Sequence, residues 1–291
     1  MTAAYIAVDW GTTNRRAYLM AEDGSIIRTT RDDRGILAIG PAEYSAEIDA
    51  LRATLGSFPV LAAGMIGSTR GWKDVPYVAA PADLPGLARA AVLLAEEDVL
   101  IVPGVALRNG RADVMRGEEV QALGAVASGV APPSALLCQP GTHNKWIVVS
   151  EARIADFTTA MTGELFALLK AHGLLAGMLD GEIADDDAFR AGVARGARCH
   201  DLTVALFEVR AQVLLGKLAS AKAASFASGI LIGADVGARD DVAGNEVHLL
   251  ANGALADLYE RTIEHLGGHA RTLDSHACFA AGMHRIWESR R

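Results

Sequence analysis

Short apolar runs separated by polar, glycine-containing turns predict that the chain opens with a β-meander. The apolar runs at residues 5–9, 16–20 and 25–29 are predicted strands, and the segments at 10–14 and 21–24 are predicted hairpin turns. Since short hairpin turns join antiparallel strands, the first sheet is expected to begin with antiparallel pairs.

The rest of the first half alternates apolar stripes at helical spacing with short apolar runs. Helices are predicted at residues 42–56, 84–94 and 118–128, and strands at 59–63 and 99–102. In the first of these helices the apolar stripe is Tyr44, Ile48 and Leu51. Residues 131–134 contain two consecutive prolines and break the pattern. The sequence therefore predicts two domains, residues 1–130 and residues 131–291.

The second half repeats the opening theme and then becomes mostly helical. Its strands are predicted at residues 135–138, 146–150, 153–157 and 247–250, and its helices at 164–171, 187–195, 201–222, 254–266 and 275–287. Each half thus begins with a β-hairpin whose turn contains a Gly-Thr pair. This pattern predicts an α/β protein that differs from a simple doubly wound sheet, in which strands and helices alternate.

The composition favours a globular protein and argues against nucleic acid as the main partner. Hydrophobic residues make up 51% of the 291 residues and the net charge is −8, whereas phosphate neutralisation needs clustered Lys and Arg. The cysteines, Cys138, Cys199 and Cys278, are widely spaced and suggest no disulfide framework. No signal peptide and no run long enough to span a membrane is visible, so a cytoplasmic protein without a membrane partner is expected.

Several common catalytic motifs are absent from the sequence. It contains neither the GxxxxGK[ST] phosphate loop nor a GxGxxG fingerprint. The HExxH and GxSxG motifs are also missing, which argues against a zinc protease and against an α/β-hydrolase.

The strongest chemical signal lies at the first hairpin turn. Asp9 ends an apolar strand, and Gly11 allows a phosphate to approach the backbone of the turn closely. Thr12 and Thr13 supply hydroxyls and Arg16 returns a positive charge, while Asp9 is suited to a hydrated Mg²⁺. The alternative is an ordinary hairpin with Asp at its turn.

The second hairpin has the same form, with Gly141 and Thr142 at its turn. Two such loops at the heads of two halves argue for phosphate binding more strongly than one loop does. Lys145, which follows the turn, fits either a phosphate contact or a solvated hairpin charge.

A pair of acids, Glu118 and Glu119, opens a predicted helix directly after Gly117. Acids in a first turn stabilise a helix by about 0.3–1 kcal/mol each, which is a structural explanation. The functional alternative is a general base that orients a substrate hydroxyl.

These motifs resemble those of the sugar-kinase, actin and Hsp70 superfamily of ATP-binding folds, and the whole chain resembles the 2-dehydro-3-deoxygalactonokinase family. The resemblance rests on five segments in the same order, namely VDWGTT (8–13), GMIGS (64–68), MRGEE (115–119), PGTHNKW (140–146) and SGILIG (228–233). It implies an α/β, two-domain actin-like (ribonuclease H-like) ATPase fold of the sugar kinase type, with ATP and Mg²⁺ as cofactors.

The resemblance also implies roles for particular residues. The first phosphate loop, which holds Mg²⁺ at Asp9, would be Asp9, Gly11, Thr12, Thr13 and Arg16, and the second would be Gly141, Thr142 and His143. Glu118 stands where the related kinases have a catalytic Asp, and Glu119 competes for that role. Adenosine is expected near residues 249–255, with Gly253 closest. Gly229, Gly233 and Gly237 fit either nucleotide contact or close helix packing.

A loop at residues 64–77 is the candidate substrate loop, with Ser68, Arg70 and Trp72 as candidate contacts. A sugar acid needs a cation for its carboxylate, and the forked guanidinium of Arg70 suits bidentate pairing. A surface loop with solvated charges is the alternative.

The function implied by the resemblance is ATP-dependent phosphorylation of 2-dehydro-3-deoxy-D-galactonate at its 6-hydroxyl, in galactonate catabolism. A kinase for another sugar or sugar acid on the same fold and a sugar or nucleotide sensor without catalysis are the alternatives. A small-molecule sugar acid and ATP are the expected partners, and a homodimer is left open.

Overall fold

The structure is a computed structural model that describes residues 2–108, 110–198 and 200–290. Its strands are β1 (Ala3–Trp10), β2 (Arg15–Ala21), β3 (Ile26–Asp32), β4 (Val60–Gly64), β5 (Val78–Ala79), β6 (Val92–Leu94), β7 (Val99–Ile101), β8 (Val105–Leu107), β9 (Asp113–Met115), β10 (Ala135–Gln139), β11 (Asn144–Ser150), β12 (Arg153–Ala160), β13 (Glu246–Leu250) and β14 (His269–Leu273). Its helices are α1 (Tyr44–Leu55), α2 (Leu84–Ala90), α3 (Glu118–Ala127), α4 (Thr162–Ala171), α5 (Asp187–Ala197), α6 (Leu202–Leu214), α7 (Ala223–Gly237), α8 (Ala254–His265) and α9 (Ser275–Glu288).

Contacts divide the chain into two compact units. The first unit contains the residues up to Ala135, the segment Ile147–Phe157 and the residues from Asp274 onward, and the second contains Leu136–Trp146 and Thr158–Leu273. The single division after residue 130 that the sequence suggests remains a prediction.

The first unit is built on a sheet with the strand order β3-β2-β1-β4-β7-β6. The predicted β-meander is confirmed, because β1 pairs with β2 and β2 with β3, both antiparallel. β1 also pairs with β4 in parallel, so that Trp10 lies opposite Gly64 at the carboxyl ends of both strands. The predicted apolar stripe of α1 is buried in this unit's core, where Tyr44, Ile48 and Leu51 pack with residues of β1.

One helix of the first unit is shorter than predicted. The sequence pattern predicts a helix over residues 84–94, but α2 ends at Ala90. Val92–Leu94 instead forms the edge strand β6, which pairs antiparallel with β7. Apolar residues suit either element, and pairing with a neighbouring strand decides the outcome.

The second sheet has the strand order β12-β11-β10-β13-β14. Its strands β10, β13 and β14 run parallel to one another. The sequence analysis missed β14, whose residues His269–Leu273 alternate little and are mostly exposed. A polar edge strand of this kind gives a weak apolar signal.

The predicted helix at residues 201–222 is wrong in its length. The helix α6 ends at Leu214, and Gly216 then takes a positive φ of 66°, a conformation that favours glycine and ends helices. The chain resumes as α7, which is buried over most of its length.

Glycines allow α5 and α7 to pack with their backbones in direct contact. A Cβ atom on Gly192, Gly196, Gly229 or Gly233 would lie 2.1–2.5 Å from a carbonyl oxygen of the opposite helix. The four-residue spacing of these glycines therefore serves close helix packing.

We expect Gly229→Ala to destabilise the protein by about 1–3 kcal/mol, because its Cβ would meet the Phe189 carbonyl oxygen at 2.1 Å. Urea unfolding measures this change. Gly40→Ala is the control, since its Cβ would meet only the flexible Glu43 side chain, at 3.1 Å. Equal stability of the two variants would contradict the packing role.

Cys138 and Cys278 are buried and free, while Cys199 lies outside the described residues. Among the described helices, none has the length and apolar character needed to cross a membrane.

Candidate active site

The first hairpin turn carries a small cavity at the carboxyl end of β1. Asp9 lies opposite Arg16 in the register of β1 and β2, and the Gly11 N–H donates to the Asn14 carbonyl at 2.9 Å. Thr12 and Thr13 are exposed. The cavity of about 160 Å³ is lined by Asp9, by the residues from Gly11 to Arg16 and by Arg31. The turn therefore gathers a carboxylate, two hydroxyls and arginine side chains around one opening.

The backbone of this turn is held from behind by residues 35–37. Their N–H groups donate to the carbonyls of Thr13, Gly11 and Thr12 at 3.1–3.3 Å. A Cβ on Gly35 would lie 2.4 Å from the Thr13 backbone, so only glycine allows this close approach. The turn is thus fixed before any ligand binds.

The two arginines that follow the turn have different roles. Arg15 is buried, pairs with Asp32 and Glu47 at 2.7 and 2.8 Å, and lies over the Trp10 ring. Arg16 contacts the His276 ring at the start of α9 and faces Asp9 across the hairpin. Arg15 therefore stabilises the fold, whereas Arg16 carries its charge to the cavity.

The Asp9 carboxyl is in an environment that disfavours its charge. Burial raises its pKa to about 6; the Arg16 charge opposes this rise and the Glu118 charge adds to it. A bound cation would stabilise the ionised form. In the part of the chain that the structure describes, no cluster of three or more metal-ligating side chains occurs. The Asp9 carboxylate at the cavity is a donor of the kind that Mg²⁺ takes, since this ion keeps several waters and binds one or two carboxylates plus substrate phosphates.

The acids at the start of α3 differ sharply in accessibility. Gly117, with φ of 109°, lies against Gly64, where its Cβ would come within 3.3 Å of the Gly64 Cα. Glu118 is partly exposed, and its Oε2 accepts the Arg116 N–H at 2.9 Å. Glu119 is fully buried, and both of its oxygens accept the Gly117 N–H, at 2.9 and 2.7 Å. Of the two, only Glu118 has a surface that a substrate can reach.

Burial of Glu119 predicts a pH-dependent stability. Burial and the Glu118 charge raise the pKa of Glu119 from 4.5 to about 8. Between these values the folded protein holds one more proton than the unfolded chain, so the free energy of unfolding falls as the pH rises.

We expect Glu119→Gln to remove this slope, which amounts to about 1.4 kcal/mol per pH unit at most. Urea unfolding of both proteins at several pH values between about 5 and 8 measures the difference. Parallel curves for the variant and the wild type would contradict the assignment.

The candidate substrate loop is closed by its own backbone. The N–H groups of Trp72 and Val75 donate to the carbonyls of Ile66 and Gly67 at 2.9 and 3.0 Å. The buried Ser68 hydroxyl donates to the Met65 carbonyl at 2.7 Å. Trp72 stacks on Tyr44 at 5.6 Å, whereas Arg70 is exposed. Among the three predicted substrate contacts, Arg70 is therefore the one whose exposed positive charge can bind an anion.

Arg116 also belongs to this region, and the sequence analysis missed it. Its guanidinium is buried, lies 4.1 Å from the Tyr77 ring centroid and donates from Nη2 to the Val75 carbonyl at 2.8 Å. Its Nε and Nη1 have no hydrogen-bond partner among the described residues. In the sequence, only its position next to Gly117 could have pointed to a role for Arg116. Its contact with Val75 leaves no local pattern, because the two residues are 41 positions apart.

The second Gly-Thr turn is backed by the start of α4. A Cβ on Gly163 would lie 2.4 Å from the Gly141 carbonyl oxygen, and the Glu164 N–H donates to the Thr142 carbonyl at 2.9 Å. His143 pairs with the Glu164 carboxylate at 2.6 Å. The interpretation of Lys145 as a solvated charge is wrong, because it is buried and donates to the Thr159 hydroxyl at 2.6 Å.

A mostly apolar cavity of about 240 Å³ adjoins this turn within the second unit. Its walls include Gly141 and Gly163 at the turn, and Ala254 and Leu255 directly after Gly253. The remaining lining residues are Thr162, Phe166, Ile183, Ser228, Leu231, Ile232, Leu258 and Tyr259. We refer to it as the apolar cavity. Since it joins segments far apart in the chain, no local sequence pattern reveals it.

Comparisons with known proteins agree with one another over nearly the whole chain. The family model described as 2-keto-3-deoxy-galactonokinase matches residues 9–286. The 2-dehydro-3-deoxygalactonokinase of Escherichia coli strain K12 is 36% identical over 98% of both chains.

Solved structures show the same relationship. A crystal structure from Sinorhizobium meliloti, provisionally assigned as a 2-dehydro-3-deoxygalactonokinase, has a TM-score of 0.89 at 34% identity and covers 96% of each chain. The activator of 2-hydroxyisocaproyl-CoA dehydratase from Clostridium difficile, solved with ADPNP, shares the fold at 11% identity, with a TM-score of 0.54 over 98% of this chain and 95% of its own. The actin-like sugar kinase fold predicted from the sequence is confirmed.

Proposed function

The chain belongs to the 2-keto-3-deoxy-galactonokinase family, and from this premise we propose that it transfers the terminal phosphoryl group of ATP to the 6-hydroxyl of 2-dehydro-3-deoxy-D-galactonate. The products are ADP and 2-dehydro-3-deoxy-6-phospho-D-galactonate, an intermediate of galactonate catabolism. The observation that carries the proposal is the family match over residues 9–286, which includes both Gly-Thr turns and the acids of α3.

Glu118 is the general base in this proposal. Glu118 is partly exposed at the start of α3, directly after Gly117, which lies against Gly64 at the end of β4. It accepts the proton of the 6-hydroxyl while that oxygen bonds to the γ-phosphorus and the bond from phosphorus to the β-phosphate oxygen breaks. Glu119 has an indirect role in this proposal. Its buried carboxyl accepts the Gly117 N–H and so fixes the backbone that positions Glu118.

We assign nucleotide binding to residues of the two Gly-Thr turns and to the apolar cavity. Gly11, Thr12, Thr13 and Arg16 bind phosphate in the first unit, and Gly141, Thr142 and His143 do so in the second. The nucleobase occupies the apolar cavity, with Gly253 at its edge. Asp9 would hold Mg²⁺ through waters, and the ion would offset negative charge on the phosphates.

The sugar acid contacts the substrate loop in this assignment. Arg70 binds its carboxylate, since the guanidinium is exposed and forked. Ser68 and Trp72 complete the predicted contacts. Ser68 would act mainly by shaping the loop, because its hydroxyl is already bonded to the Met65 carbonyl.

The proposal is tested by a coupled ADP-release assay with ATP, Mg²⁺ and a panel of acceptors. The panel contains 2-dehydro-3-deoxygalactonate, its gluconate epimer, galactonate, glycerol and xylulose. Selective turnover of the first acceptor is expected. Selective turnover of another member would replace the substrate but keep the kinase, and nucleotide binding without any turnover would favour a sensor.

A further inference from the structure

Asp235 on α7 accepts hydrogen bonds from four side chains on three other elements. Its Oδ2 accepts from Asn144 Nδ2 at 2.7 Å, from the Thr162 hydroxyl at 3.0 Å and from the Tyr259 hydroxyl at 2.7 Å. Its Oδ1 accepts from Trp146 Nε1 at 2.9 Å. One carboxylate thus ties α7 to β11, α4 and α8.

The donors around Asp235 are withdrawn from water. Asn144 is fully buried, Trp146 and Tyr259 are each 1% exposed, and Thr162 is 8% exposed. The Asn144 amide is satisfied at both ends, because its Oδ1 accepts from the buried Cys138 thiol at 3.4 Å. Loss of the acceptor would therefore leave buried donors without a partner, which is costly.

The same donors connect Asp235 to the nucleotide-binding surface of the second unit. Thr162 and Tyr259 line the apolar cavity, and Asn144 follows directly after the second Gly-Thr turn. Thr162 begins the helix whose next residue, Gly163, lies against Gly141. Asp235 does not itself line the cavity. It supports the lining indirectly, through its hydrogen bonds to Thr162 and Tyr259.

The Tyr259 hydroxyl stays a donor to Asp235, because burial and the neighbouring carboxylate both disfavour its ionisation. Arg239 lies one turn further along α7, over the Trp146 ring at 5.6 Å, and pairs with Asp241. Burial and the Asp235 charge raise the pKa of Tyr259 well above its ordinary value. The Tyr259 hydroxyl therefore remains protonated and continues to donate.

We propose that Asp235 is a positioning residue for nucleotide binding, which acts by fixing the second Gly-Thr turn, the start of α4 and Tyr259 in one arrangement before ATP arrives. This inference rests on the proposed nucleotide site and adds a residue outside the lining of the apolar cavity. It depends on neither the sugar acid nor the choice of general base. A rigid, preformed site raises the affinity for the nucleotide, because these elements lose little conformational entropy when it binds.

The test is Asp235→Asn, which keeps the size of the side chain but replaces one acceptor oxygen with a donor. The variant is expected to weaken ADP binding, measured by calorimetry without sugar acid, by about 10- to 100-fold. In steady-state assays the KM for ATP should rise by a similar factor, while the KM for the sugar acid stays within about 2-fold. Because the calorimetry needs no acceptor, it remains informative if the proposed substrate is wrong.

Glu208→Gln is the control for a general loss of stability. Glu208 lies on α6 and pairs with Arg195 at 2.8 Å, in the same unit but outside the apolar cavity. This variant should lower the midpoint of thermal unfolding and leave ADP affinity unchanged. Equal ADP affinity of Asp235→Asn and wild type, or a parallel rise in both KM values, would overturn the positioning role.

Two milder variants keep the proposal testable if Asp235→Asn does not fold. Thr162→Val and Tyr259→Phe each remove one donor to Asp235. Each should weaken ADP binding by about 3- to 10-fold. Unchanged affinity in both folded variants would overturn the proposal.

Discussion

Replacement of Glu118 by glutamine should lower kcat by about 10²- to 10⁴-fold, the usual contribution of a general base. The glutamine side chain would have nearly the same shape and could still accept the Arg116 N–H, which Glu118 accepts at 2.9 Å. It could not take the proton of the 6-hydroxyl. Binding of ATP should persist, because Glu118 lies outside both Gly-Thr turns.

The control is Glu119→Gln, measured in the same assay. The Glu119 carboxyl accepts the Gly117 N–H and is not exposed to solvent. Its replacement should reduce kcat by less than about 10-fold and should act mainly on stability. The assignment is contradicted if Glu119→Gln is the slower enzyme. If neither variant slows transfer by more than about 10-fold, general base catalysis at this helix is wrong.

The second large effect is expected for Asp9→Asn, with a loss of about 10²- to 10³-fold in kcat. The Asp9 carboxyl faces the cavity at the first turn, where burial disfavours its charge. The neutral amide removes the charge that suits Mg²⁺. We therefore also expect a higher Mg²⁺ concentration to be needed for half-maximal activity and for tight ADP binding in titrations.

Asp23→Asn is the matched control for this variant. Asp23 lies at the next turn of the same meander, is exposed and accepts hydrogen bonds from the Ser25 N–H and hydroxyl. It should match wild-type activity and Mg²⁺ dependence. Full activity of Asp9→Asn at ordinary Mg²⁺ would contradict a metal site at Asp9.

The elements that sequence analysis predicted well are those whose signal is local. The turn from Asp9 to Arg16 is a hairpin in which strand, glycine and charge follow one another directly, and the structure keeps them together. The stripe of Tyr44, Ile48 and Leu51 predicted α1 for the same reason. Predictions failed where a distant strand or a backbone conformation decides, as at β6 and at Gly216.

The sequence singles out the two acids of the candidate site but does not show how their surroundings differ. Glu118 and Glu119 are adjacent and chemically alike, and only burial separates them. The supporting residues gave no local signal, because Asp235 meets Asn144 across 91 residues and Arg116 meets Val75 across 41. Tertiary packing alone creates such contacts, so a single sequence does not reveal them.

The most direct test of the central claim follows the phosphoryl group itself. The purified chain is incubated with ATP, Mg²⁺ and 2-dehydro-3-deoxy-D-galactonate, and the products are analysed by phosphorus NMR and mass spectrometry. The predicted result is one phosphate monoester on C6 of the sugar acid for each ADP formed. Release of inorganic phosphate without a phosphorylated sugar acid, or no consumption of ATP, would contradict the account.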